Sequence, residues 1–179
     1  MAGIWLWLGS SNTKAYKEAF EAVPKRQFVL CTKAEHFTAE VDSLAERCDF
    51  LTISGLDNIL ADLTREKLDP TKLLSDLDTL FQKLDDYRTE GLKIVIEPLI
   101  PWKKHSEEVK RAGLHAIKTI KNKYPGILFV SRPPSLRFAP DGVHLVDKSS
   151  HTMFKVFINK YITSQINPIF PTHMRYESF

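Results

Sequence analysis

Cysteine is scarce in this 179-residue chain: there are two, Cys31 and Cys48. A chain of this length buries enough surface to fold without a disulfide framework, and nothing in the sequence suggests one. No His or Cys stands beside either thiol at zinc-ligand spacing, so no metal site is expected. Both thiols are read as reduced, which suits an intracellular (cytoplasmic or nuclear) protein. Long apolar runs are also missing. The N-terminal run Ile4-Trp5-Leu6-Trp7-Leu8 is too short to span a bilayer and has no basic flank before it, so no secretory signal is expected. It reads as a buried strand. No internal repeat and no low-complexity stretch appears, and no cofactor is expected. One domain over residues 1–167 is expected. An apolar tail over 168–179, with Ile169, Phe170, Met174 and Tyr176, is expected to pack on that domain or on a partner.

Charge is nearly balanced overall, at +3, yet unevenly placed. Residues 1–91 carry 11 Lys and Arg against 16 Asp and Glu, while residues 92–179 carry 14 against 6. A basic half is either the footprint of an anionic partner such as nucleic acid or, more commonly, a solvated face.

Apolar runs alternate with helical patterns. Strands are predicted at Ile4–Leu8, Gln27–Cys31, Phe50–Ser54, Leu92–Ile96 and Ile127–Val130. Helices are predicted from Asn12 or Thr13 to about Ala22, over Phe37–Arg47, from Pro70 to about Thr89, from Ser106 to about Lys123, and from Ser149 or Ser150 to about Gln165. Gly55 to Pro70 reads as a long connection with at most one short helix. This alternation predicts an α/β fold, a three-layer sandwich around a five-stranded parallel sheet.

Two short motifs fall beyond the carboxyl ends of predicted strands, where such sheets bind ligands. The first strand breaks into Gly9-Ser10-Ser11-Asn12, and Pro140-Asp141-Gly142-Val143-His144-Leu145 follows the fifth. A serine, a histidine that can take its proton and an aspartate that orients the histidine are the parts of an acyl-transfer site. Ser10 and Ser11 equally suit a helix cap, and Asp141 a turn. His36, His105, His115, His151 and His173 are isolated and read as non-catalytic. Glu97, at a strand end in the cleft, is expected to form a salt bridge.

On these motifs and this element order the chain resembles the SGNH hydrolases, also called the GDSL esterase and lipase superfamily, whose fold is flavodoxin-like. The resemblance implies Ser11 as nucleophile, with Ser10 where the signature has Asp, and Asp141 and His144 as its partners. It also implies oxyanion or substrate contacts from Gly9, Ser10, Gly55, Asp57 and Asn58. Two blocks depart from the family pattern. Cys31-Thr32-Lys33-Ala34-Glu35-His36 lacks the expected glycine, and Gly55-Leu56-Asp57-Asn58 puts Asp57 where an oxyanion-binding asparagine belongs. Asn58 could substitute if the loop is shifted by one residue.

The resemblance supports two functions. One is hydrolysis of a small acyl ester. The other is a degenerate fold that binds RNA or a protein partner. The C-terminal domain of the insect protein Oskar resembles these hydrolases but binds RNA, and esterase-like domains occur in retrotransposon proteins that handle RNA. In this chain Lys103, Lys104, Lys110, Arg111, Arg132 and Arg137 would meet phosphates, and Trp102 or Phe138 would stack on a base.

Overall fold

A computed structural model describes residues 4–14, 17–22, 24–43, 48–97, 99–130 and 136–161. The predicted tail over 168–179, Arg132 and His173 lie outside them. Five strands form one sheet: β1 (Trp5–Gly9), β2 (Arg26–Leu30), β3 (Phe50–Ile53), β4 (Lys93–Ile96) and β5 (Leu128–Phe129). Their order is β2-β1-β3-β4-β5, with every pair parallel, as predicted.

The central strand β1 shows how the sequence sets the layers. Trp5, Leu6, Trp7 and Leu8 are all buried. Successive side chains on a strand point to opposite faces, so the tryptophans go one way and the leucines the other. Trp5 and Trp7 meet Phe20 edge-on at 5.1 and 5.2 Å, with the Arg26 guanidinium 4.7 Å over the Trp5 ring. Leu6 and Leu8 join Leu51, Ile53, Ile94 and Ile96 in the larger core. Each fully buried aliphatic side chain contributes about 1.5–3 kcal/mol, so strands this short are held by their two covered faces.

Helices α3 (Ala34–Val41), α4 (Leu56–Glu66), α5 (Pro70–Thr89) and α6 (Glu107–Lys123) close the larger core. Asp69 caps α5 by accepting from Thr71 and Lys72 N–H, with Pro70 in the first turn, and Ser106 caps α6 by accepting from Val109 N–H. Helical backbone at α1 (Ser11–Lys14) and α2 (Lys17–Glu21) follows β1, and α7 (Asp147–Tyr161) packs against α1.

Three expectations are corrected. The connection after Gly55 is mostly helix: α4 spans eleven residues, and buried Leu56, Ile59, Leu60 and Ala61 fix it on the core. Helix α3 begins three residues before Phe37. Helix α7 begins at Asp147, because Ser149 and Ser150 are buried within its first turn and Ser149 Oγ accepts from Arg137 N–H at 2.6 Å. Among the described residues no helix is long and apolar enough to cross a membrane.

Candidate active site

Strand β1 lies between β2 and β3, the point where the strand order reverses and a crevice opens beyond the carboxyl ends. Gly9 ends β1 tightly against its neighbours. A Cβ there would stand 2.4 Å from the Phe28 ring and 2.5 Å from Thr13 Oγ1. Gly9 thus serves close packing between β2 and the turn. The chain then bends at Ser10, which is buried, and its carbonyl accepts from Thr13 N–H, Lys14 N–H and Thr13 Oγ1. That anchoring leaves Ser11, the first residue of α1, exposed at the crevice.

The second motif is a turn inside a short two-stranded ribbon. Phe138 pairs with Leu145, Ala139 N–H donates to His144 O, and Val146 N–H donates to Arg137 O. Asp141 fixes the turn between them. Its Oδ1 accepts from Val143 N–H at 2.9 Å and His144 N–H at 3.0 Å, and its Oδ2 lies 2.6 Å from His144 Nδ1. The His144 contact, then the two N–H donors, hold the Asp141 carboxyl down at about 2. An ionised Asp141 can only accept, so Nδ1 carries the proton and Nε2 presents its lone pair. That nitrogen lies 3.1 Å from Ser11 Oγ. Side chains of two motifs, 133 positions apart at Ser11 and His144, are therefore in contact, in the order that lets a histidine draw the serine's proton.

Asn12 ties the motifs together. Its Nδ2 donates to Val143 O at 3.3 Å and its Oδ1 accepts from Leu145 N–H at 2.9 Å, so one amide brackets His144 on both sides. The sequence reading took Asn12 only as a cap. No local signal marks a bond to residues so distant in sequence. Asn12→Ala removes both bonds and leaves two backbone groups to find water. We expect the protein to remain folded and to lose about 1–3 kcal/mol of stability, read by urea denaturation.

The oxyanion block differs from expectation. Gly55 has φ +86°, and a Cβ there would stand 2.5 Å from Ser10 Cβ, so this turn abuts the Ser10–Ser11 turn. Asp57, in the first turn of α4, is buried, and its Oδ2 accepts from Trp102 Nε1 at 2.5 Å. Burial pushes its carboxyl up to about 6, against the opposing pull of Trp102, its own N–H and the charge of His144. Asn58 Nδ2 donates to Cys31 O at 2.9 Å, which fastens α4 to the end of β2. The expected salt bridge of Glu97 is also absent among the described residues. Glu97 is buried at the end of β4, where burial and then Asp57 push its carboxyl up to about 8 against the Ser54 hydroxyl.

A cavity of about 450 Å³ opens from Ser11 along α7, lined among others by Asn12, His144, Leu145, Lys148 and His151. His151, read from sequence as isolated, thus stands at the site. His36 instead accepts from Thr32 N–H at 3.2 Å, away from the cavity. Lys103 and Lys104 lie in the loop before α6, Lys110 and Arg111 on α6, and Arg137 in the ribbon before α7. Lys110 pairs with Glu107, and Lys104 Nζ lies 5.1 Å over the Trp102 ring, whose plane also stacks on His105. Phe138 packs with Ile100, Leu145 and Met153. Both aromatic rings expected to meet bases are therefore engaged within the protein. No cluster of metal-ligating side chains occurs among the described residues.

No family model and no curated protein matches the chain. Solved structures do. A candidate acylhydrolase from Bacteroides fragilis superposes with a TM-score of 0.65 at 13% identity, covering 92% of this chain and 88% of that one. A member of the lipolytic G-D-S-L family from Veillonella parvula gives 0.60 at 11% identity, covering 91% and 98%. An acetyl xylan esterase gives 0.61 at 13% identity, covering 88% and 99%. At such identities the likeness is one of fold: this chain has the α/β fold that these acylhydrolase and esterase structures share.

Proposed function

We propose that this protein is a serine hydrolase acting on small acyl esters. The observation that carries the reading is the unbroken contact from Asp141 Oδ2 through His144 to Ser11 Oγ, at 2.6 and 3.1 Å. Ser11 Oγ attacks the ester carbonyl carbon while His144 Nε2 takes its proton. The carbonyl oxygen becomes an oxyanion, to which the Ser11 N–H donates. Asp141 keeps the imidazole in the right tautomer and stabilises the imidazolium. As the tetrahedral intermediate collapses, the bond to the leaving alcohol breaks and His144 returns the proton to that oxygen. Water then attacks the acyl-serine, again giving its proton to His144, and the carboxylic acid leaves with Ser11 restored.

The size and polarity of the cavity support a short acyl or alkyl group. It is open, and Lys148 and His151 line it beside Leu145. The test is turnover of p-nitrophenyl acetate. Removing the nucleophile of such a site costs up to about 10⁶ in kcat, so we expect Ser11→Ala to fall to the background rate. Wild-type protein without turnover above background, or Ser11→Ala retaining it, would overturn the assignment. In the latter case Ser10 or a surface group is the reacting one. RNA binding through Lys103, Lys104 and Lys110 is the competing function, and charge reversal at these positions with a salt series separates the two.

A further inference from the structure

Between β4 and α6 the chain from Leu99 to Ser106 forms neither helix nor strand, and it runs along the turn that carries His144. It meets that turn on both sides of the histidine. Before it, Lys104 N–H donates to Gly142 O at 3.2 Å. Gly142 permits this close approach: a Cβ there would stand 3.1 Å from Lys104 Cβ and 3.2 Å from Lys104 N. After it, Ile100 is buried in one small apolar cluster with Leu145 and Met153. The His144 side chain itself is half exposed, so the place of its ring depends on the backbone that carries it.

A segment without a backbone ladder needs side chains to fix it. His105 N–H donates to Trp102 O at 3.0 Å and closes a tight turn, within which the Trp102 ring stacks on His105 at 5.0 Å. The bond that ties this turn to the core is Trp102 Nε1 to Asp57 Oδ2, at 2.5 Å and across 45 residues. Asp57 is buried in the first turn of α4, and its neighbours fix that turn in place: Asn58 Nδ2 donates to Cys31 O, and Gly55 abuts Ser10. A carboxyl suits this position. An asparagine would accept the indole N–H through its oxygen but bring two buried N–H donors that also need partners. A path of contacts thus leads from Ser10 through the Gly55 turn, Asp57, Trp102 and Lys104 to Gly142. Asn12 reaches Val143 and Leu145 from the serine's side. The two routes close a ring around the contact between Ser11 and His144.

We propose that Asp57 and Trp102 are positioning residues: their hydrogen bond holds the loop before α6 against the His144 turn and so sets the approach of His144 Nε2 to Ser11 Oγ. This rests on the hydrolase reading. Among the described residues neither one lines the cavity at Ser11, so both act through the histidine turn and not on the substrate. Breaking their bond therefore weakens proton transfer and leaves substrate binding as it is.

The test is a double-mutant cycle on hydrolysis of p-nitrophenyl acetate, with Trp102→Phe, Asp57→Ala and the two together, each checked for folding by circular dichroism. Phenylalanine keeps an aromatic ring against His105 and removes the N–H. Each single variant is expected to lose up to about 100-fold in kcat with KM unchanged. The double variant is expected to be no slower than the slower single one, because both changes break the same bond. Trp102→Phe alone decides the matter should Asp57→Ala not fold. A folded Trp102→Phe with wild-type kcat, losses that multiply in the double variant, or a change confined to KM overturns the positioning role and leaves the hydrolase standing. Wild type without Ser11-dependent turnover overturns both.

Discussion

Asp141→Asn should leave a folded protein whose hydrolysis of a small ester is slower by about 10⁴. The reason lies in the tautomer. Asp141 is ionised and acceptor-only, so it fixes the proton on His144 Nδ1 and leaves Nε2 free to take the proton of Ser11. An asparagine there can turn its NH₂ to Nδ1, which moves the ring proton to Nε2 and removes the base. The turn itself survives, because the amide oxygen still accepts from the Val143 and His144 N–H groups now bonded to Oδ1. The same contacts hold the wild-type Asp141 carboxyl at about 2. Asp141 is therefore expected to stay ionised on mild acidification. Comparing kcat with circular dichroism of the variant separates this effect from misfolding. A variant with wild-type kcat would remove Asp141 from the mechanism.

Glu97→Gln should change stability rather than build a new contact, and its effect should depend on pH. The folded protein holds the Glu97 carboxyl near 8 through burial and the neighbouring Asp57, whereas an exposed glutamate titrates at 4.5. Between those values the folded state binds a proton that the unfolded state has released. Stability therefore falls as pH rises through this window, and the loss is complete above the folded value. Each unit corresponds to about 1.4 kcal/mol, so the cost to the wild type between pH 4 and 9 is on the order of a few kcal/mol. Glutamine is neutral throughout and matches glutamate in size. Urea denaturation at pH 5 should give similar stabilities for the two proteins. At pH 9 the variant should be the more stable by a few kcal/mol. Parallel stability profiles would show that Glu97 is not held as an acid.

Much of the fold was legible because its signals are local. Five short apolar runs separated by helical patterns specify a parallel sheet with two covered faces, and Asp69-Pro70 and Ser106 mark two helix starts by their own chemistry. The length of helix α4 was underestimated because Gly55 reads as a turn, while its buried Leu56, Ile59 and Leu60 were not given their helical spacing. The Ser11, Asp141 and His144 set was legible because the fold class sends both motifs to one sheet edge. What surrounds that set was not. Asn12 reaches the His144 turn across 131 residues, Trp102 reaches Asp57 across 45, and burial beside Asp57 is what raises Glu97. Those are tertiary facts, fixed by packing and burial that no sequence window contains. In the basic half, the Lys110–Glu107 pair and the Trp102–Asp57 bond are likewise contacts that the charge pattern does not show.

The most direct test of the central claim is covalent labelling of wild type, Ser10→Ala, Ser11→Ala and His144→Ala with a fluorophosphonate, followed by peptide mapping. Burial of Ser10 and exposure of Ser11 beside His144 predict one label, on Ser11, retained in Ser10→Ala and lost in the other two. A folded wild-type protein that takes no label, or one labelled on Ser10, would contradict it.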